Sequence, residues 1–195
     1  MTNQIKKNET IIKNFKELDK LLSLFKDNKI LTSELNVVAN LTKLDNFLYQ
    51  IYNKIYNKNF QIEITNENLK KEILGITVET ILEELNSIVD LINEFFIKAC
   101  GNKDYLVTHF EENFNFSDKI STLDNISKLG DFLEEFYNDS ELFLNENDDE
   151  QETLDNIEYI RGDIEIMYKR IRSIHILMLK VITLINELRN LQDQK

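Results

Sequence analysis

The chain has 195 residues, no proline and only four glycines, so it contains few of the residues that end helices. Cys100 is the single cysteine, which rules out an intrachain disulfide and favours a reducing compartment such as the cytoplasm. No stretch approaches about eighteen uncharged apolar residues, and the first residues lack the apolar region of a secretion signal. We therefore expect long helices, a cytoplasmic location and no contact with a membrane.

Residues that bind metals or phosphates are also scarce. One cysteine and two histidines are too few for a zinc finger, and no Glu-x-x-His spacing provides the ligands of a ferritin-like di-iron centre. Scattered glycines cannot build a GxxxxGK loop or a dinucleotide loop. His109 has Glu111 and Glu112 beside it, but we expect it to cap or pack. The sequence predicts no metal and no cofactor.

The clearest hydrophobic pattern lies near the end of the chain. Apolar residues recur there at alternating spacings of three and four, which is typical of a helix that packs along one continuous seam. The seam consists of Ile157, Ile160, Ile164, Met167, Ile171, Ile174, Met178, Val181, Ile185 and Leu188. Other faces become apolar between Ile174 and Ile185, for example at Ile176 and Leu179, so we expect this section to be surrounded by helices.

Similar spacing predicts further helices between residues 11 and 25, 37 and 55, 74 and 99, and 120 and 136. The second is expected to begin after an N-cap at Thr32 or Ser33. No solenoid repeat of about 20 to 50 residues is evident. The sequence thus predicts an all-α protein with one domain over residues 1–195. We expect a bundle of about four to six long antiparallel helices, with the C-terminal helix at its centre.

Charge is distributed unevenly along the chain. Residues 61–167 carry 27 acidic and seven basic side chains, whereas residues 1–60 and 168–195 each have a net charge of +4. The segment NENDDEQE, residues 145–152, is expected to be a solvated acidic loop, because it lacks the turn glycine and the bidentate glutamate of an EF-hand. Phosphate repulsion disfavours direct binding of duplex DNA by this acidic middle.

Acidic side chains are most concentrated between residues 131 and 165, with almost no lysine among them. The predicted partner-binding residues are Glu134, Glu135, Asp139, Glu141, Glu146, Asp148, Asp149 and Glu150. Exposed like charges fit a surface that meets a positive counterpart, although they also favour solubility. The sequence favours a non-catalytic interaction module, such as an accessory subunit or an inhibitor, that binds a basic protein surface or a larger complex.

An alternative from another class comes from RIRSIH, in which four residues separate Arg170 from His175. An arginine followed four to six positions later by a histidine resembles the motif of HEPN-type ribonucleases, which are all-helical and usually dimeric. The resemblance implies that Arg170 steadies a phosphate and that His175 assists proton transfer as the ribose 2'-hydroxyl attacks. It also implies a homodimer. Ile171 departs from the motif, where a polar residue commonly follows the arginine.

The same basic cluster has a structural interpretation. Lys169, Arg170 and Arg172 flank the seam, and charged residues in such positions pair with acids on a neighbouring helix. His175 would then lie at the rim of the core.

A row of tyrosines is a further candidate surface. Tyr49, Tyr52 and Tyr56 share one helix face, with Lys54 nearby. Such a row can anchor a partner, but we expect it to form the wet rim of a core, because tyrosine suits half-buried positions.

Overall fold

The computed structural model describes residues 16–27, 30–56, 65–99, 104–145 and 151–193, and side chains in 16–27, 30–55, 70–99, 106–140 and 158–190. Within these ranges the chain forms helices joined by turns and contains no strand. The helices are α1, which includes residues 16–26, α2 (Val37–Tyr56), α3 (Thr65–Ala99), α4 (Asp104–Asn113), α5 (Thr122–Asn145) and α6 (Gln151–Asp193). The all-α prediction is confirmed.

Helix α6 lies against both α3 and α5, and α2 and α4 each pack on α3. Ion pairs join α3 to α6 at Lys70–Glu187 and at Lys98–Asp163, so residue numbers rise along one helix as they fall along the other. The two helices are therefore antiparallel. This arrangement confirms the predicted helical bundle with a long C-terminal helix packed between others.

The seam predicted on α6 lies in the core. Its described members are all buried, namely Ile160, Ile164, Met167, Ile171, Ile174, Met178, Val181, Ile185 and Leu188. The expectation that the middle of α6 is covered on every face is wrong, since Ile176 is 64% exposed and Leu179 43% exposed. The neighbouring helices cover the seam, and Ile176 lies on the opposite side of α6.

Two loops lead into α2 and α5 through the same hydrogen-bonded turn. Asn40 in the first turn of α2 and Asn125 in the first turn of α5 each donate from Nδ2 to the backbone carbonyl groups four, five and eight residues earlier. Each also accepts, through Oδ1, the N–H group eight residues earlier at 2.8 Å. Both side chains are fully buried. The amides therefore satisfy backbone groups that would otherwise be buried without partners.

The helices begin after these turns. Asn36 and Ser121 act as N-caps, because each side-chain oxygen accepts the N–H group three residues later, at 2.8 and 3.0 Å. The N-cap predicted at Thr32 or Ser33 is wrong. Those residues lie in the preceding turn, and α2 begins at Val37.

The matching turns belong to two structural repeats, α1–α2–α3 and α4–α5–α6. Most buried residues from α1 to the end of α2 have buried counterparts 85 residues later, as in Leu21/Leu106, Phe25/Phe110, Leu31/Phe116, Val37/Thr122, Leu41/Ile126, Leu44/Leu129, Leu48/Leu133, Ile51/Phe136 and Ile55/Ser140. In α3 and α6 the offset is 86 residues, as in Leu74/Ile160, Thr77/Asp163, Val78/Ile164, Ile81/Met167, Leu85/Ile171, Ile88/Ile174, Ile92/Met178, Phe95/Val181 and Ala99/Ile185. The described chain therefore contains one three-helix unit twice.

An approximate two-fold axis relates the repeats. A residue that contacts its own counterpart must lie on such an axis. The Ser33 N–H group donates to Asp118 Oδ1 at 3.3 Å, and these residues are counterparts 85 positions apart. Arg170 Nη1 donates to Glu84 Oε2 at 2.7 Å, and these are counterparts 86 positions apart. The axis passes through the two loops and through the contact between α3 and α6.

The buried side chains of both repeats form one hydrophobic cluster. Aromatic rings from α3, α4 and α5 meet within this cluster. The ring centroids of Phe95, Phe110 and Phe136 lie 5.8 to 6.0 Å apart. In the part of the chain that the structure describes, no helix has the length and apolar character needed to cross a bilayer.

Candidate functional site

Arg170 and His175, the residues of the ribonuclease hypothesis, both lie on α6. The Arg170 guanidinium is bound to the Glu84 carboxylate on the two-fold axis. Five positions along an α-helix correspond to about 500° of rotation, which leaves the two side chains about 140° apart around α6. His175 is half-buried. The structure therefore does not bring the pair together on one face of the helix.

The structural interpretation of the basic cluster is confirmed for the two arginines. Arg170 pairs with α3, and Arg172 Nη2 donates to Asp131 Oδ1 and Glu134 Oε2 on α5, at 2.6 and 2.8 Å. A Cβ at Gly130 would lie 3.3 Å from Arg172 Cδ, so the glycine makes room for this arginine against α5. Lys169 instead pairs within α6.

Three of the eight predicted partner-binding acids, Glu134, Glu135 and Asp139, have described side chains, and these lie exposed on the outward face of α5. Four acids lie there, all exposed, which are Asp131, Glu134, Glu135 and Asp139. Glu141 lies further along α5, with its side chain outside the described ranges. The remaining predicted residues, Glu146, Asp148, Asp149 and Glu150, and with them most of the predicted acidic loop, lie outside the described residues.

The outward face of α2 holds the counterparts of these four acids. They are Asn46, Tyr49, Gln50 and Lys54, and all four are exposed as well. The two sets therefore occupy equivalent solvent positions on the same fold, yet the α2 set carries one positive charge and no negative charge, and the α5 set carries four negative charges. We call the four α5 residues the acidic face.

The tyrosine row is divided between solvent and core. Tyr49 is 55% exposed, whereas Tyr52 is half-buried against the core. Burial, followed by the charge and hydrogen bond of Glu79, raises the pKa of Tyr52. Tyr56 ends α2, with its side chain outside the described ranges. Tyr52 thus fits the rim interpretation, and Tyr49 is the member that faces solvent.

His109 packs as expected. Its ring stacks on Phe136 with a centroid distance of 5.5 Å and an interplanar angle of 10°, and Asn113 Nδ2 lies 3.2 Å from its Nδ1. Among the residues with described positions, no three histidine, cysteine or acidic side chains are grouped as metal ligands would be.

An ion pair crosses between the repeats at Lys98 and Asp163. Lys98 Nζ donates to Asp163 Oδ2 at 2.9 Å and lies 4.3 Å from the centroid of the Tyr159 ring. Burial lowers the pKa of Lys98, but the hydrogen bond and charge of Asp163 outweigh it, so the pKa is raised overall. The counterparts of this pair are Leu184 and Thr77, both buried, so the pair breaks the two-fold symmetry.

Two shallow cavities open on the described surface. One, of about 210 Å³, lies between the start of α2 and α4, beside Phe110 and Phe114. The other, of about 320 Å³, lies between α1 and α2, beside Phe47. Neither Arg170 nor His175 lines either of them.

No protein family model matches this sequence, and no curated protein or solved structure is significantly similar to it.

Sequence reasoning overlooked Phe47, which is 43% exposed beside the larger cavity. Counterpart positions 47 and 132 are both phenylalanine, and counterpart positions 43 and 128 are both lysine. These matches were the evidence in the sequence that could have pointed to Phe47.

Proposed function

We propose that this protein is a non-catalytic interaction module that binds a basic protein surface through the acidic face of α5. One observation carries the proposal. Equivalent, equally exposed positions on α2 and α5 differ by five charges, although the two helices occupy the same place in the repeat. Since α2 adopts this place without acids there, the three-helix unit does not require acids at these positions, although Asp131 and Glu134 bind Arg172 of α6.

The acidic face has a mixed local environment. Arg172 neutralises part of the charge of Asp131 and Glu134, whereas Glu135 and Asp139 project from the adjacent turn of the same exposed side. Exposed like charges four residues apart on a helix slightly destabilise the free protein. A partner that supplies lysine or arginine would relieve this repulsion on binding.

The partner is proposed to be a protein and not a nucleic acid, because phosphates would be repelled by this face. Roles consistent with such a face are an accessory subunit, or an inhibitor that occupies a basic groove. With Cys100 as the single cysteine, a reducing compartment such as the cytoplasm is the proposed location. Glu141 and the acids at 146, 148, 149 and 150 continue the same charge along the sequence.

The test begins with capture of binding partners from the native source, followed by association kinetics with each purified partner. The informative variant is Glu135→Gln with Asp139→Asn. Its matched control is Glu83→Gln with Asp90→Asn, which removes two exposed acids from α3 and changes the net charge equally. We expect the α5 variant to lower the association rate about three- to tenfold, and the α3 control to change it much less.

Salt provides the second readout. The wild-type association rate should fall as the Debye length shortens from about 10 Å to about 3 Å, and this dependence should be shallower in the α5 variant. Equal association rates for wild type and the α5 variant, at every salt concentration, would refute the proposal.

A further inference from the structure

The larger cavity lies between α1 and α2 in the first repeat. Its volume is about 320 Å³, and it is lined by Asp19, Lys20, Ser23, Leu24, Ile30 and Phe47. The Phe47 ring is 43% exposed, whereas Leu24 and Ile30 are buried to 4% exposure. The cavity is thus lined by three apolar side chains, one of them a partly exposed phenylalanine, and by three polar ones.

The second repeat has the same phenylalanine, but there it is covered. Phe132, the counterpart of Phe47, is half-buried and lies 5.2 Å from the ring centroid of Phe114. Lys128 Nζ lies 5.4 Å from the centroid of that Phe114 ring. The Phe114 side chain therefore covers Phe132, and Lys128 lies near the Phe114 ring.

The first repeat keeps two of these three components in its sequence. Phe47 matches Phe132, and Lys43 matches Lys128, each at the offset of 85 residues. At the same offset in the sequence, Phe114 corresponds to Lys29, which has no ring and lies outside the described residues. The first repeat thus retains the phenylalanine and the lysine, and its sequence has no aromatic residue at the position that corresponds to Phe114.

We propose that this cavity binds an aromatic side chain presented by a partner protein, with Phe47 against one face of the ring and Lys43 near the other. The volume suffices, because a cavity of about 150 Å³ holds a benzene molecule. Aromatic pairs favour the centroid separations of about 4.5 to 7 Å that Phe114 and Phe132 adopt. A phenylalanine or tyrosine fits better than a nucleobase, because Phe114 makes this contact with a ring that has no polar edge.

This site is separate from the acidic face, since it is lined by α1, α2 and the turn before α2 and includes no residue of α5. The two sites can therefore be tested independently. A partner that uses both would contact each repeat through a different chemistry.

The test is a titration of the isotope-labelled full chain with N-acetylphenylalaninamide, followed by backbone amide NMR shifts. We expect saturable shifts at Ser23, Leu24 and Phe47, and smaller shifts around Phe132, where a ring is already in place. N-acetylleucinamide and adenosine, as comparison probes, should bind more weakly. Equal or tighter binding of either would overturn the choice of an aromatic side chain, as would an absence of saturable shifts at the cavity.

Variants separate the cavity from the general surface. Phe47→Ser should weaken binding of N-acetylphenylalaninamide roughly tenfold, the effect expected from loss of an aromatic pair, and Phe47→Leu should weaken it less. Tyr49→Ser is the matched control, because it removes an exposed aromatic ring from the same helix outside the cavity. Both serine variants replace partly exposed side chains, so circular dichroism should show unchanged helix content. Equal affinity of Phe47→Ser and Tyr49→Ser would overturn the proposal.

Discussion

Replacement of Lys98 by leucine tests whether the two repeats are energetically equivalent at the α3–α6 contact. The substitution leaves Asp163, which is 8% exposed as a residue, without its 2.9 Å partner. Loss of one member of a fully buried ion pair costs about 3–5 kcal/mol. Since the Lys98 side chain is 29% exposed and solvent screens the pair, we expect Lys98→Leu to cost about 1.5–3 kcal/mol.

The symmetry-related contact between α3 and α6 suggests how to relieve this cost. At the counterpart positions the chain has Leu184 and Thr77, so the double variant Lys98→Leu, Asp163→Thr copies an arrangement that the protein already contains. The double variant should recover to within about 1 kcal/mol of wild type, because removal of both charges also removes their desolvation cost. The single variant Asp163→Thr should be milder than Lys98→Leu, since Lys98 keeps Glu94 at 3.4 Å.

The assay is urea unfolding followed by far-UV circular dichroism, with the slope m checked for constancy. The raised pKa of Lys98 gives a pH signature as well. Its stabilising contribution is fully present below the ordinary lysine pKa of 10.5 and is lost as pH rises through the higher folded value. The gap between wild type and Lys98→Leu should therefore narrow in strongly alkaline solution. If the double variant is less stable than Lys98→Leu, the Lys98/Asp163 contact and its counterpart Leu184/Thr77 are not energetically equivalent.

Three further substitutions test other parts of the account. Ile174→Asp places a carboxylate at a fully buried seam position and should lower the free energy of unfolding by several kcal/mol; an unchanged far-UV melt would contradict the core assignment. Burial raises the pKa of Asp45, so its ionised form opposes folding; Asp45→Asn should raise the melting temperature at pH 7, and the gain should disappear below about pH 3.8. Arg170→Ala should lower stability by about 1 kcal/mol by leaving Glu84 without its partner. The purified protein is expected to cleave no RNA, and a measured activity that His175→Ala abolishes with folding intact would restore the ribonuclease hypothesis.

The helical bundle could be predicted because its cause is local in the sequence. The alternating three- and four-residue spacing from Ile160 to Leu188 corresponds directly to the buried side of α6. Exposure of Ile176 and Leu179 could not be predicted in this way, since it depends on how many helices surround α6. Periodicity shows that a helix has an apolar face, but it does not show which neighbours cover the other faces.

The internal symmetry was harder to recognise from the sequence. Its period is longer than that of solenoid repeats, and most counterparts share burial without sharing identity, as Ile51 and Phe136 do. The identities that survive include the buried asparagines Asn40 and Asn125 and the phenylalanines Phe47 and Phe132. An asparagine in a helical pattern reads as unremarkable until its hydrogen bonds to the preceding turn are seen.

The acidic face could be predicted in part. The sequence identified Glu134, Glu135 and Asp139 through their density of charge. It predicted that Arg172 pairs with acids on a neighbouring helix, but it could not identify them as Glu134 and Asp131, because that choice depends on the contact between α5 and α6.

Carboxylate footprinting of the protein alone and in complex with its captured partner tests the central claim most directly. Carbodiimide labelling reports the solvent access of each acid by mass spectrometry. The account predicts that labelling of Glu135 and Asp139 on α5 falls in the complex, whereas labelling of Glu83 and Asp90 on α3 stays the same. Unchanged labelling of Glu135 and Asp139, in a complex that protects acids elsewhere, would contradict the assignment of the acidic face as the binding surface.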